Sequence, residues 1–394
     1  MKKEMHVLIL PMYYPEKDSS PHRGYMFYEQ ATQIVQNGCK VGLAFVEQRP
    51  TRNFSWKKFC KESHFQISSE DNGLFTVMRM HAWNPKLSTH IGGLIWTFLT
   101  LLLVRRYIRK QGKPDLIHAH FGCWAGYAAY LIRKIYHIDY LITEHASSIN
   151  GDAVRPSQAR ILRKAYNHAR KVICVGSLLG RNLQRYTDCP EKITVIPNFV
   201  DTQTFRWSGH ITDKEVRFVF VSVGNLSKRK GFTELIEAFG QSFGNLPHVS
   251  LLIIGDGEEK VNLQQTINRL EMQKQITLTG RLSREALATQ LDSADAFVLA
   301  SYAETFGIVV IEAMAAGLPS IGTICGGPED IITPESGFLI EPGDTKELGK
   351  KMLELYHTYE RFDKEQIRRS IVNRFDFRLA GKLLTDLYRQ LVTS

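Results

Sequence analysis

Short apolar runs alternate with longer amphipathic stretches along the whole of this 394-residue chain, and that alternation constrains its fold more than any other feature. In the first half the strand-like runs fall at 5–11, 41–46, 115–119, 139–143, 171–175 and 193–196. In the second half they fall at 217–223, 249–254, 275–279, 296–300, 319–322 and 337–340. Such brief, near-continuous apolar runs suit strands buried on both faces. Separated by helix-length segments, they predict βαβ units and parallel sheets. A chain of this length has enough residues for two sizeable cores. Two successive doubly wound α/β blocks fit the pattern better than one large sheet. Polar and turn residues interrupt it between Pro197 and Glu215, which puts a first domain at 1–200, a second at 201–375 and a helical tail at 376–394. No internal repeat or low-complexity tract is visible.

Hydrophobic residues make up 43% of the chain and charged residues 23%, ordinary values for a soluble globular protein. The net charge of +10 is unevenly spread: residues 1–200 hold 28 Lys and Arg against 14 Asp and Glu, and residues 201–394 hold 22 against 26. That asymmetry predicts an anionic partner for the first half alone. Nucleic acid is a poor candidate, because no helix-turn-helix, zinc or stacking motif accompanies the charge. The six cysteines are scattered without metal or redox spacing, which points to a reducing, cytoplasmic setting. Lysines precede an apolar run at the start, but Pro11 cuts the run short, so a first buried strand is preferred to a signal peptide.

The most hydrophobic segment is Ile91 to Val104, followed by Arg105, Arg106, Arg109, Lys110 and Lys113. It is shorter than the ~20 residues that cross a bilayer as a helix. Two readings stay open: a core helix, or an interfacial helix touching an anionic membrane surface with Trp96 near the headgroups. Trp56-Lys57-Lys58-Phe59 is a second basic and aromatic patch.

Two carboxylates eight positions apart, Glu304 and Glu312, flank Phe306-Gly307-Ile308 just after the apolar run at 296–300. A helix starting near Phe306 would leave Glu304 in the preceding turn and Glu312 in its second turn, roughly 10–12 Å apart along the axis. The first backbone N–H groups of that helix would form an anion site between them. Two hydroxyl acceptors with a phosphate cradle between them outline a nucleotide-sugar. Both glutamates could instead be solvated surface acids, but Glu312 stands between Ile311 and Ala313 in an apolar run, a poor place for an acid without a partner. Asn225 to Lys230, with Arg229 among its cations, forms a basic loop between a strand and a helix beginning near Thr233, and could meet a pyrophosphate from the other side. His118 and His120 end another strand, at the edge where open α/β sheets bind ligands, and their spacing places both on one face.

These segments resemble the glutamate–seven residues–glutamate motif and its surroundings in retaining glycosyltransferases of family 4. That family has the GT-B fold, two Rossmann-like domains facing across a cleft. The likeness extends over most of the chain and is densest at 190–345. It implies that Glu304 contacts the donor sugar, that Glu312 holds the nucleotide ribose, and that Lys230 binds donor phosphate. The family commonly carries arginine where Asn225 stands, and Arg229 is the candidate replacement. By the same resemblance Gly24 lets backbone approach the donor phosphate, Gly255 and Asp256 lie beside the base, and Asn198 enters the cleft. His120 corresponds to the active-site histidine, while Glu144 and His145 line the acceptor side. The tail helix is expected to cross back onto the first domain.

The chain has no Asp-x-Asp pair of the kind that holds Mg²⁺ in other glycosyltransferases, so neither metal nor cofactor is expected. Lys230, Arg229 and the helix end at Phe306, Gly307 and Ile308 would stabilise the departing diphosphate instead. With Glu304, His120 and Lys230 as the catalytic set, the expectation is a retaining, metal-independent hexosyltransferase. It would move a sugar, UDP-linked by preference, to a hydroxyl of a glycan or lipid-linked saccharide in surface-polysaccharide assembly. The expected place is the cytoplasm, peripheral at the inner face of the membrane. Alternatives are a nucleotide-sugar epimerase or phosphorylase of the same fold, or a non-catalytic nucleotide-sugar-binding module.

Overall fold

The computed structural model describes residues 4–14, 24–50, 56–57, 65–84, 86–87, 89–151, 153–209 and 213–393. Lys58 and Phe59 of the second basic patch lie outside the described residues. The chain forms two compact units, one of residues 1–175, 179–196 and 378–394, the other of 176–178 and 197–377. The main stretch of the second unit therefore runs from Pro197 to Phe377 rather than from 201 to 375, with 176–178 added from earlier in the chain. Val200 and Asp376 pair as a parallel bridge, flanked by hydrogen bonds from Val200 N–H to Phe375 O (2.9 Å) and from Phe377 N–H to Val200 O (3.1 Å). Those bonds tie both crossings into the second unit.

The first unit contains strands β1 (Met5–Leu10), β2 (Cys39–Pro50), β3 (Ile67–Asp71), β4 (Thr76–Asn84), β5 (Leu116–His120), β6 (Asp139–Glu144), β7 (Lys171–Cys174) and β8 (Ile193–Val195). Its helices include α1 (Tyr25–Gln36), α2 (His90–Gln111), α3 (Tyr127–Tyr136) and α4 (Pro156–His168), and α5 (Ser177–Leu183) follows in the chain. The described strands make one sheet in the order β3-β4-β2-β1-β5-β6-β7-β8, parallel except for the β3–β4 pair. Strands β3 and β4 were not expected from the sequence. Arg79 interrupts the apolar pattern of β4, yet it is buried and ion-paired to Glu47 (3.1 Å) and Glu70 (3.3 Å), partners that only the neighbouring strands supply.

The second unit contains β9 (Phe218–Val223), α6 (Phe232–Phe243), β10 (Val249–Ile254), α7 (Lys260–Arg269), β11 (Ile276–Gly280), α8 (Arg284–Ser293) and β12 (Ala296–Leu299). It continues through α9 (Ile308–Ala315), β13 (Ser320–Thr323), β14 (Gly337–Ile340), α10 (Thr345–His357) and α11 (Lys364–Phe375). Its described strands form an all-parallel sheet, β11-β10-β9-β12-β13-β14. Every residue of β9 and β12 is buried, as a parallel strand covered by helices on both faces must be.

The last helix, α12 (Phe377–Thr393), has most of its length in the first unit. Leu384 and Tyr388 join that unit's core with Val7, Ile9, Leu43 and Leu141. The Tyr388 hydroxyl lies 2.6 Å from His118 Nδ1, and Arg389 donates to the Asn37 carbonyl at 2.7 Å.

Candidate functional site

In an open parallel sheet the ligand crevice opens where two neighbouring strands send their connections in opposite directions. In the second unit that point lies between β9 and β12: β9 leads outward to β10, and β12 leads the other way to β13. The segments leaving these two strands carry Lys230 and Glu304. Lys230 Nζ sits 2.5 Å from Glu304 Oε1, with only 15% and 11% of the two side chains exposed. Ser301 Oγ donates to the same carboxylate oxygen at 2.9 Å. The two loops are joined through their backbones as well, by the Tyr302 N–H to the Arg229 carbonyl (2.8 Å). Gly231, at φ +64°, makes the approach possible, because a Cβ there would fall 2.0 Å from the Ala300 carbonyl oxygen.

The neighbouring strand ends close around this pair. Glu304 N–H donates to the Cys325 carbonyl (3.0 Å), and Thr323 Oγ1 donates to the Ser301 carbonyl (2.5 Å). Burial pushes the Cys325 thiol up to about 12, so it remains a neutral part of the wall. On the β10 side, Gly224 N–H donates to Ile254 O (3.0 Å) and Leu226 N–H to Asp256 O (3.1 Å). Gly255 packs face-on against Gly224, where a Cβ would meet the carbonyl oxygen at 1.8 Å. The Gly255-Asp256 turn and the basic loop are thus one continuous surface.

Helix α9 begins at Ile308, not near Phe306. Gly307 adopts φ +95°, a left-handed conformation that cannot belong to a right-handed helix. No side chain caps this helix and its first turn holds no acid, so its leading N–H groups and dipole suit an anion. Glu312 is half-buried in the second turn. Phe306 is buried with its ring 5.6 Å from Phe375, so any contribution to ligand binding comes from its backbone. Asn198 is buried near the start of the second unit.

The first unit reverses its strand order between β1 and β5. Gly24, at φ +89°, starts α1 there, and Phe27 on that helix places its ring 4.6 Å from the His120 ring. His118 is fully engaged, with Nδ1 2.6 Å from the Tyr388 hydroxyl and Nε2 2.7 Å from Thr143 Oγ1. His120 Nδ1 lies 3.1 Å from His145 Nε2, and the rings stack at 25°. His120 Nε2 is buried and has no hydrogen-bond partner among the described residues. Burial holds His118 and His145 at about 3, and it drives His120 well below the ordinary histidine range, with its two histidine neighbours adding to the effect. All three are therefore neutral near pH 7. His120 can accept a proton into a hydrogen bond or donate one through Nε2, according to which partner donates between it and His145.

Glu144 turns inward. Its carboxylate accepts from Gly122 N (2.7 Å), the Tyr166 hydroxyl (2.6 Å), His145 N (2.8 Å) and Ala146 N (2.8 Å). A buried carboxylate with four donors serves to shape the backbone around it. It borders a cavity of about 380 Å³ whose wall includes Tyr13, Phe121, Trp124, Ile149 and Leu162. Phe121 enters this wall at φ +75°, a conformation rare for an aromatic residue. The structure thus gathers Lys230, Glu304, Gly255 and Asp256 in one unit, and Gly24, His120, Glu144 and His145 in the other. Sequence reasoning missed Ser301, Cys325, Tyr166 and Tyr388. Ser301 had a local signal, as the first polar residue after the buried run; Tyr388 had none. Among the described residues, no group of three or more His, Cys, Asp or Glu is arranged to hold a metal.

Comparison with known proteins finds a likeness in both halves of the chain. A family model described as glycosyl transferases group 1 matches residues 203–369, and one described as glycosyltransferase family 4 matches residues 25–204. The N-acetyl-alpha-D-glucosaminyl L-malate synthase of Bacillus anthracis is 26% identical over 280 residues, which cover 68% of this chain and 72% of that protein. A Bacillus subtilis (strain 168) glycosyltransferase, TuaC, named for teichuronic acid biosynthesis, is 30% identical over 258 residues, 62% of each chain. Among solved structures, Anabaena HepE in complex with UDP-glucose superimposes with a TM-score of 0.73 at 18% identity, covering 98% of this chain and 100% of that one. With two Rossmann-like units of the GT-B type and these two matches spanning residues 25–369, the chain belongs to the glycosyltransferases, group 1 in its second half and family 4 in its first.

Proposed function

We propose that this protein transfers a hexosyl group from a UDP-sugar to a hydroxyl of a glycan or lipid-linked saccharide, with retention of anomeric configuration and without a metal. The observation that carries the reading is the Lys230–Glu304 pair at the β9/β12 switch point, next to the uncapped start of α9. Lys230, Arg229 and the α9 amides hold the diphosphate and stabilise its charge as it departs. Glu304 accepts from a donor-sugar hydroxyl, Glu312 from the ribose, and Gly255-Asp256 lies beside the base. The acceptor oxygen forms a bond to the anomeric carbon on the face from which the UDP oxygen leaves. The acceptor's proton passes to that phosphate oxygen, so no side-chain base is needed. His120, with its free Nε2, orients a hydroxyl at the edge of the first unit.

The UDP preference is supported by the UDP-glucose complex of HepE, and the surface-polysaccharide role by the name of the Bacillus subtilis relative. A cytosolic site, peripheral to the membrane, is supported by Cys39, Cys123, Cys174, Cys189 and Cys325, which form no disulfide among the described residues, and by the basic first half. The test is incubation with a panel of UDP-, GDP- and ADP-sugars in EDTA, wild type beside Glu304→Gln. Nucleotide release from a UDP-sugar, falling at least about a hundredfold in the variant, is the expected result. Absence of binding and release across the whole panel would sink the reading.

A further inference from the structure

Helix α2 is the one helix among the described residues that is long and apolar enough to cross a membrane, judged by length and composition. Its inner face rules out that use. Trp96, Leu103, Val104 and Tyr107 are buried in the first unit. Trp96 Nε1 donates to the Val46 carbonyl (3.1 Å), and the Tyr107 hydroxyl lies 2.8 Å from His6 Nε2. Gly93 sits so close to the Trp124 ring that a Cβ there would come within 1.9 Å of it. Leaving the fold would break all of these contacts.

The outer face is apolar where a solvated helix would be polar. Ile91, Leu94, Phe98 and Leu102 are exposed, Ile91 by 58% and Phe98 by 59%. At about 100° of rotation per residue, these four fall with Arg105 and Arg109 inside an arc of roughly 80°. The apolar part of this stripe runs ~17 Å along the axis at ~1.5 Å per residue. The exposed cations Arg105, Arg106, Arg109, Lys110 and Lys113 continue it, and no acidic residue occurs between His90 and Pro114.

We propose that this face of α2 docks the protein on an anionic lipid bilayer, with Ile91 to Leu102 at the acyl boundary and the cationic end among the headgroups. An amphipathic helix lying in the interface gains from its buried apolar area and from attraction to anionic lipid together. The opposed features of the stripe select this occupant over a second copy of the chain. A twofold contact through α2 would set its cations against each other or against the apolar row, and both arrangements are unfavourable. An anionic bilayer supplies an apolar layer and negative charge at matching depths. The surface deepens the proposed function, and rests on it only for the lipid-linked acceptor that would be met there. Vesicle binding without donor or acceptor reads the surface alone, so its failure is distinct from a failure of transfer.

The experiment is sedimentation of the full chain with phosphatidylcholine vesicles, with and without roughly a third phosphatidylglycerol, at low and high salt. Binding should need phosphatidylglycerol and weaken at high salt. Arg105→Gln/Arg106→Gln/Arg109→Gln should weaken it about a hundredfold, at about fivefold per cation near an anionic surface. Phe98→Glu should weaken it at least about tenfold. Both variants should keep the wild-type melting temperature and wild-type donor turnover with a soluble acceptor, since these side chains lie outside the core. Wild type that stays in solution with anionic vesicles at low salt overturns the proposal, as do variants that bind as tightly as wild type. A dimer in gel filtration that Phe98→Glu disperses, without vesicle binding, would assign the face to a second copy and overturn it equally.

Discussion

Replacing Lys230 with methionine separates what the Lys230–Glu304 pair does for folding from what it does for chemistry. The two charges are 2.5 Å apart and largely shielded from solvent. Breaking a fully buried pair by removing one partner costs about 3–5 kcal/mol, and an exposed pair is worth about 1 kcal/mol or less. With 15% and 11% of these side chains exposed, a loss of about 2 kcal/mol is expected for Lys230→Met, because the Glu304 carboxylate loses its counter-charge. In a unit of this size that corresponds to a melting temperature about 4–8 °C lower. Adding Glu304→Gln removes the stranded charge, so the double variant should regain most of that loss, with a coupling of about 1.5 kcal/mol. Activity should move the other way. Each single variant is expected to lose about 10²–10³ in turnover, and the double variant should do no better. Thermal melts and UDP-release rates on the four proteins of the cycle measure both quantities. A double variant no more stable than Lys230→Met would refute the burial argument. Turnover of Lys230→Met within tenfold of wild type would refute the electrostatic one.

Gly231→Ala should destabilise the protein by about 2–5 kcal/mol, since it adds a left-handed backbone penalty to a clash with the Ala300 carbonyl, and calorimetry would reveal a smaller effect. The neutral histidines make stability depend on pH with a definite sign. Their folded values lie far below the unfolded 6.5, so their contribution is complete above pH 6.5 and is lost as pH falls from 6.5 toward about 3. Each can contribute up to about 1.4 kcal/mol per pH unit across that window. Urea melts at pH 7.5, 6 and 5 should show the decline, and a midpoint constant across them would contradict the buried neutral cluster.

The histidines and the acidic pair show how far local sequence reaches. Runs such as Phe218–Val223 and Ala296–Leu299 were legible as strands because burial on both faces of a parallel sheet demands unbroken apolar character, a property of adjacent residues. The turn that holds Glu304 and the helix that holds Glu312 were legible for the same reason: a turn and the helix it starts are contiguous. The start of α9 was read two residues early because the left-handed Gly307 is a backbone state that side-chain pattern does not reveal. Strands β3 and β4 escaped notice because Arg79 reads as exposed until Glu47 and Glu70 are brought beside it.

The sequence by itself determined the alternation of elements, the division into two α/β blocks and the short motifs that carry the family likeness. Only the tertiary structure decided which of them meet. Lys230 and Glu304 lie 74 residues apart and touch because β9 and β12 are neighbours in the sheet, an order that no local pattern encodes. His118 and Tyr388, 270 residues apart, share a hydrogen bond because α12 returns to the first unit's core. The same holds for α2, whose composition left its setting open. Packing Trp96 and Tyr107 into the domain turned one face inward and left Phe98 and the arginines on the other. Periodicity and backbone preference act over a few residues, whereas sheet order, helix docking and the pairing of buried charges follow from how distant segments share one core.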